Sequence, residues 1–576
     1  MRRPGLARAL ILERTWPLLL DALVGCAVLA AAYGMVATAR YWLGTVTPAV
    51  EIARSPRALP AYAFYSVVRI AVAYVLSLVF AVAYGYAAAH SRRMESLMVA
   101  ALDILQSIPV LSFLPGVMLA MVSLFPTRQL GVEFGSILLI FTGQVWNMAF
   151  SFYASLKAIP RELREAAVIY RFPRWQRFLD LELPYGAIGL VWNSMVSVAG
   201  GWFFLMACEM FVLGKRDFRL PGLGSYLQRA AGAGDTAAIF WGLGAMIGVI
   251  VLMDQLVWRP AIAWADKFKF EQVESAPPPR SPILHLLRNS RALAKLRQST
   301  IAPLSERLGL YFSRRAAHIR AQAPPARWKR VLAGLAAAAV VAALAYAAFL
   351  TLASLKGIGR EEMLGTLAGA GTTFLRVNAA LLLAAAWTVP AGVAIGFHPR
   401  LARIAQPFVQ IAASVPATAL FPVVLLGLIR LGGGLGAGSV LLMLLGTQWY
   451  VLFNVIAGAM AIPSDLREVA GVFRFSRVDR WKIVILPGIF PYLITGLVTA
   501  SGGAWNASIV AEYFHFKGRI LSTLGLGAQI SHATDSGNLD LLLLSTIVMA
   551  AMVVSVNRLV WRPLYRLSET RFRLES

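Results

Sequence analysis

The 576-residue sequence holds only two cysteines, Cys26 and Cys208, both inside long apolar runs. They read as small packing residues rather than as a disulfide or a thiolate metal site. Charge is scarce as well: 14% of residues are charged, against about a quarter in soluble domains. Catalytic and nucleotide-binding signatures are missing. There is no Gly-x-x-x-x-Gly-Lys-Ser/Thr stretch, so the chain carries no phosphate-binding loop of its own. Nor is there a His-Glu-x-x-His, a cysteine pair at metal spacing or a Gly-x-Ser-x-Gly, so no metal ligand or catalytic residue is assigned and the chain does not read as an enzyme. What is present is apolar: 58% hydrophobic residues and a mean hydropathy of +0.67. Apolar runs of about 20 residues recur, long enough to cross a bilayer core of about 30 Å as helices. The class is therefore all-α integral membrane protein.

The formal net charge is +26, which by itself would suggest nucleic acid. The placement of the bases argues against such a partner. They crowd one predicted side: Arg2, Arg3, Arg8 and Arg14, then Arg92 and Arg93, a run from Arg161 to Arg177, and Arg558, Arg562, Arg566, Arg571 and Arg573. That is the positive-inside pattern of a multi-pass membrane protein, with both termini cytoplasmic. Lys215, Arg216 and Arg219 fall on predicted outer loops, so the pattern is a bias. The run from Pro17 to Ala37 is span-length with no obvious cleavage site after it, and reads as the first retained helix.

Hydropathy places spans at about 17–37, 62–88, 98–125, 132–155, 186–213 and 237–258, and again at 331–355, 369–396, 404–429, 436–460, 488–514 and 538–559. The expected organisation is a first six-helix module at 1–258, a basic cytoplasmic linker at 259–330, and a second six-helix module at 331–576 with a short tail. The linker contains Pro277-Pro278-Pro279 and Pro324-Pro325, and its charge reads as a solvated face at the surface of the membrane lipid. With an even number of spans per half, both halves take one orientation, giving about 12 helices related by a parallel pseudo-twofold. The repeat is legible residue by residue. Ala158-Ile159-Pro160 to Arg171-Phe172 matches Ala461-Ile462-Pro463 to Arg474-Phe475, and Leu183-Pro184, Trp202 and Glu209 fall on Leu486-Pro487, Trp505 and Glu512. Upstream, Arg69 falls on Arg376 and Ser107-Ile108-Pro109 on Ser414-Val415-Pro416. Rare residues held in register over such a length point to internal duplication.

The loop after the fourth span of each half carries the most information. It reads Glu165-Ala166-Ala167, then Leu181-Glu182-Leu183-Pro184; the second copy reads Glu468-Val469-Ala470, then Val484-Ile485-Leu486-Pro487. Alanines favour a helix that can approach a partner closely. Pro160 and Pro463 suit a helix start, and Pro184 and Pro487 a sharp end to the segment. The surrounding Arg and Glu offer a polar docking face; the plainer alternative is an ordinary charged loop. The segment resembles the EAA loop of ABC-importer permeases, in which Glu-Ala-Ala, three residues, Gly and nine more lead to Ile-x-Leu-Pro. The family glycine falls on Arg171 and Arg474, and Val469 replaces the middle alanine.

The fifth spans add Trp202 and Glu209 followed by Gly222-Leu223-Gly224, and Trp505 and Glu512 followed by Gly525-Leu526-Gly527. This is similar to permeases of the nitrate/sulfonate/taurine group, in the duplicated anion-transport branch. Glu209 and Glu512 either line the outer mouth of a pathway or pair within the bundle, with Arg69 and Arg376 as the partners at hand. Arg69 and Arg376 are the anion candidates on charge grounds, an interfacial structural role being the alternative. Trp202 and Trp505 could gate by bulk or simply pack.

The resemblance implies a fused permease subunit that forms the translocation path for a small anion. Two separate ATPase subunits would bind ATP and Mg and dock on the loops, the chain itself holding no cofactor. A periplasmic or lipid-anchored binding protein would deliver the solute at a bacterial inner membrane. Which anion is carried is not set by the residues. The rival readings are a self-contained secondary transporter with two six-helix halves, and a scaffold without transport. Against the carrier stand the duplicated loop, which it does not need, and a midplane nearly free of charge.

Overall fold

The computed structural model describes residues 51–91, 94–126, 129–213, 216–268, 355–430, 434–462, 464–516 and 519–571, with isolated positions elsewhere. Apart from those isolated positions, residues 17–37 and 331–354 of the expected spans and the linker beyond Phe268 lie outside the described residues, as does Cys26. Among those described, eight helices are long and apolar enough to cross a membrane. The long spans fall close to their expected places, with the fifth of each half starting earlier, at Arg174 and Arg477.

The first half contains α1 (Leu59–His90), α2 (Glu95–Ser107), α3 (Leu114–Leu124), α4 (Leu130–Lys157), α5 (Arg161–Ile169), α6 (Leu183–Glu209), α7 (Leu223–Ala233) and α8 (Thr236–Met253). The second repeats the order as α9 (Arg360–Phe397), α10 (Pro399–Ser414), α11 (Ala417–Arg430), α12 (Leu435–Ala461), α13 (Ser464–Val472), α14 (Leu486–Ala511), α15 (Leu526–Ser536) and α16 (Leu539–Val556). In each half a central helix, α4 or α12, packs between its neighbours α1 and α6, or α9 and α14. Small residues permit this close approach. On α1 the buried face runs Ala73, Ser77, Ala81, Gly85 and Ala88, and a Cβ on Gly85 would stand 3.0 Å from Phe152. On α9, Gly392 and Gly396 meet Val455 and Ala459 of α12 in the same way.

The expected third spans are each broken in two. Ile108 and Val415 hold extended backbones, with ψ 125° and 118°; each precedes a proline, which disfavours the helical conformation in the residue before it. The chain turns a corner there, and in the first half the Ser112 hydroxyl donates to the Pro109 carbonyl at 2.7 Å. This corner joins the halves: Leu111 N–H donates to Asn506 at 3.4 Å, and the Thr546 hydroxyl to the Ser112 carbonyl at 3.0 Å.

Pro184 and Pro487 do not end a segment. They sit in continuous helices, Arg174–Glu209 and Arg477–Ala511, just after π-helical turns at Phe178–Glu182 and Arg480–Ile485. A proline lacks the donor for an α-helical bond to the preceding turn, and each enters where the wider register gives way to regular α-helix. Among the described residues, the otherwise helical bundle also has two antiparallel ribbons, β1 (Val212–Leu213) with β2 (Arg216–Asp217), and β3 (Tyr513–Phe516) with β4 (Arg519–Ser522). They stand at the end opposite α5 and α13. We call the ribbon end apical and the α5/α13 end basal.

Candidate functional site

Among the described residues, three polar places bear on function: a clasp near the apical end of each half, the basal helices α5 and α13, and a cavity between the halves.

The clasp is built by α1, α6 and α7. Ser66 and Arg69 stand one turn apart on the same face of α1. Arg69 Nη1 donates to Glu209 Oε1 at 2.8 Å and to the Pro221 carbonyl at 2.9 Å. The Ser66 hydroxyl donates to Glu209 Oε1 at 2.6 Å and accepts from Leu223 N–H at 3.0 Å. Glu209 Oε2 accepts Gly224 N–H at 2.7 Å. The carboxylate thus caps the first turn of α7, where free N–H groups and the helix dipole favour negative charge. Gly222 is required by closeness: a Cβ there would lie 2.2 Å from the Glu209 carboxyl carbon.

The second half repeats the plan with α9, α14 and α15. Thr373 replaces Ser66, donating to Glu512 Oε1 at 2.9 Å and accepting Leu526 N–H at 2.8 Å. Glu512 Oε2 accepts Gly527 N–H at 2.9 Å, and Arg376 Nη1 reaches Glu512 Oε1 at 3.0 Å. The sequence left Glu209 and Glu512 between mouth-lining and pairing with Arg69 and Arg376; the structure pairs both. Trp202 and Trp505 are buried in the core at 2% and 1% exposure and pack rather than face an opening.

At the basal end, Glu165 and Glu468 are exposed while Ala167 and Ala470 are buried against the bundle. Ala166 is half-buried and Val469 exposed. Arg164 donates to the Leu156 and Lys157 carbonyls at 2.9 and 2.8 Å, tying α5 to the end of α4. Arg171 and Arg474, where the resembling family has glycine, are the positive-φ non-glycine residues of the described chain, at 51° and 49°. Each is the left-handed residue that closes its helix. Phe172 N–H reaches back to the Ala167 carbonyl at 2.9 Å, and Phe475 N–H to the Ala470 carbonyl at 3.1 Å, as in a Schellman motif. The turn expected from glycine is therefore made with arginine, in both copies.

The apical cavity, about 800 Å³, lies between the halves. The first half contributes Arg54, Arg219 and Arg229; the second contributes Tyr513, His515 and Asp535. His515 Nε2 and the Tyr513 hydroxyl both reach Asp535 Oδ2 at 2.8 Å. The hydrogen bond to Asp535 holds His515 above the usual histidine range, against the effect of burial. Burial would raise Asp217, but the paired Arg219 guanidinium holds it below the usual carboxylate range.

A family model described as binding-protein-dependent transport system inner membrane component matches residues 57–256 and again 388–573. The chain belongs to this family. One matched segment falls in each half and each holds a basal helix; the second begins after Thr373 and Arg376 of its clasp. Among curated relatives, a nitrate import permease protein of Leptolyngbya laminosa is 28% identical over 185 residues, 32% of this chain and 63% of that protein. A taurine transport system permease protein of Escherichia coli is 28% identical over 176 residues, 30% of this chain and 60% of that protein. A bicarbonate transport system permease protein of Synechococcus elongatus is 26% identical over 185 residues, 32% of this chain and 63% of that protein. The chain spans less than two thirds of the length of each of these three relatives.

Sequence reasoning missed three features of this family member. Glu133 clamps Arg69 from α4, its two oxygens accepting from Nε at 2.6 Å and Nη2 at 2.7 Å. A lone Glu in an apolar span was the available signal. The basal helices end in exposed apolar residues, Ile169 and Tyr170 in one copy and Val472 and Phe473 in the other, so the expected polar docking face has an apolar tip. Tyr450, midway along α12, stands against two glycines that match across the repeat. Its hydroxyl lies 3.6 Å from where a Gly200 Cβ would be, and its ring 3.5 Å from that of Gly503.

Proposed function

We propose that the chain is the fused transmembrane permease of an ATP-binding-cassette importer, both halves of the pathway lying in one polypeptide. The basal end faces the cytoplasm of a bacterial inner membrane, and both termini lie there. Two ATPase subunits, which bind ATP and Mg, dock on α5 and α13; the chain contributes no nucleotide site. A periplasmic or lipid-anchored binding protein delivers a small anion at the apical end. The observation that carries this reading is the pair of matching basal helices, each closed by a left-handed arginine and each presenting an apolar tip. A single charged loop would need no such duplicate. Exposed apolar side chains beside glutamate suit insertion into a cleft on a soluble motor. The Arg164 contacts to the end of α4 give a rigid route from that cleft into the bundle.

Supporting the anion class are the substrates that the relatives' names give, nitrate, taurine and bicarbonate, and the arginines at the cavity rim. The clasps are structural in this account: Arg69, Arg376, Glu209 and Glu512 satisfy one another and fasten each fifth span to its apical helix. The test exchanges charge and tip together. Glu165→Lys with Glu468→Lys, and separately Ile169→Asp with Val472→Asp, should leave the chain in the membrane and sharply reduce ATPase association. Undiminished association in both doubles contradicts the docking assignment.

A further inference from the structure

The apical cavity has two unlike walls. On the first-half wall, Arg54 stands 3.8 Å from Asp235 and Arg219 is bound to Asp217 through paired contacts, including Nε to Oδ1 at 2.9 Å. Arg229 also lines the cavity, is exposed, and has no ion pair among the described residues. Its neighbour Gln228 carries a buried Oε1 with no hydrogen-bond partner. On the second-half wall the only lining carboxylate among the described residues, Asp535, is occupied by Tyr513 and His515. The floor is apolar, formed by Ala207 and Met210 of the first half and Ile509 and Val510 of the second.

Duplication makes the inequality informative. In the register that places Gly222-Leu223-Gly224 on Gly525-Leu526-Gly527, Arg229 falls on His532, Arg219 on Ser522, and Gly232 on Asp535. The lining arginines belong to one copy and the lining carboxylate to the other. A symmetric mouth would have needed no such divergence.

The geometry points to an anion-binding antechamber in this cavity, with Arg229 as the docking cation and Gln228 as its carboxamide neighbour. Its ligand is a small oxyanion of single charge, a carboxylate, sulfonate or nitrate-like group, met before it enters the apolar floor. Arg229 adds to the field that holds Asp217 low but touches no carboxylate among the described residues, and a guanidinium so placed at a cavity wall offers a planar fork to such oxygens. The neighbouring pairs cancel within themselves and leave Arg229 as the net positive charge on one side, while the hydrogen bonds from Tyr513 and His515 mute the Asp535 charge opposite. The inference takes only the direction of travel from the importer reading; the site itself stands without it.

The test uses the purified full-length chain in lipid nanodiscs and a thiol placed in the cavity. Gly232 lines the cavity one turn from Arg229, and a Cβ there meets nothing within 4 Å, so Gly232→Cys should fold. Its alkylation is timed with a sulfonate-bearing methanethiosulfonate and with the trimethylammonium reagent of equal length. Each rate is normalised to a free thiol and corrected for the unsubstituted chain. The sulfonate should be favoured by about tenfold, the scale of electrostatic focusing in a charged cleft. Arg229→Gln in the same background should remove most of that preference, and Asp535→Asn should increase it. A preference unchanged by Arg229→Gln overturns the proposal, as does a preference for the cationic reagent in Gly232→Cys alone. Failure of the importer reading would show as absent ATPase partners and would leave these rates untouched.

Discussion

The two clasps do the same work with different charge. In the first half Arg69 is held by two carboxylates, Glu133 and Glu209, and is 1% exposed. In the second half Arg376 has one carboxylate, Glu512, completes its bonds with the Thr523 hydroxyl and the Leu524 carbonyl, and is 16% exposed. In the register that places Gly135-Ser136 on Gly438-Ser439, Glu133 falls on Gly436, so the second clamp is simply missing. What both keep is the hydroxyl, the arginine, the glutamate and the glycine at the start of the apical helix. The shared part is the fastening of the fifth span to that helix; the extra carboxylate is an added lock on one side.

The largest effect should follow from removing the arginines. Arg69→Leu leaves two buried carboxylates without their cation and should cost about 3–5 kcal/mol, the range for breaking a buried pair. Arg376→Leu should cost clearly less. Thermal unfolding of the detergent-solubilised variants reads the difference, and equal losses would erase the distinction between the clasps. Next come Gly222→Ala and Gly525→Ala, each placing a methyl about where a carboxylate now lies. Both should lose about 1–3 kcal/mol and by similar amounts, because this part is shared; a loss confined to one half would break the equivalence.

A smaller effect sharpens the comparison in the other direction. Gly436→Glu restores the missing acid where a Cβ meets only the Thr523 hydroxyl, at an ordinary 3.9 Å. It also removes a helical glycine, and stability should rise by about 1 kcal/mol; a fall would show that Arg376 cannot accept a second carboxylate. The smallest effect concerns the ribbons. His515 is raised by its hydrogen bond to Asp535, so that pairing is fully present below the unfolded histidine value of about 6.5 and is lost as pH rises through the higher folded value. Asp217 is lowered, so its pairing with Arg219 is present above about 3.9 and is lost only as pH falls through the lower folded value. Hydrogen exchange, corrected for its intrinsic pH dependence, should show the 513–522 ribbon loosening as pH rises above the ordinary histidine range while the 212–217 ribbon does not. Equal pH response in both would contradict the assignment.

Span-scale features were legible in the sequence because they follow from length and hydropathy alone, and the duplication was legible because Arg69, Glu209 and Pro184 have partners in register. The arginine–glutamate pairing was legible as one of two readings, since a buried charge needs a counter-charge. Glu133 was not, because Gly436 stands at the matching position and the repeat gives it no copy. The broken third spans carried their cause openly in Ile108-Pro109 and Val415-Pro416, but a hydropathy window averages over a two-residue break. Pro184 and Pro487 misled in the opposite sense: a π-turn absorbed the missing donor, and no local pattern announces that. The left-handed backbones of Arg171 and Arg474 could be placed only through the resemblance to a glycine, and the inequality of the cavity walls needed the fold to bring Arg229 opposite Asp535.

The most direct test of the central claim is the composition of the native complex. The tagged chain is purified from its own membrane in mild detergent and its companions are quantified by mass spectrometry. The account predicts a stoichiometric ATPase near two copies per chain, one for each basal helix. A chain that is reproducibly alone, and that transports in vesicles without ATP, would contradict it.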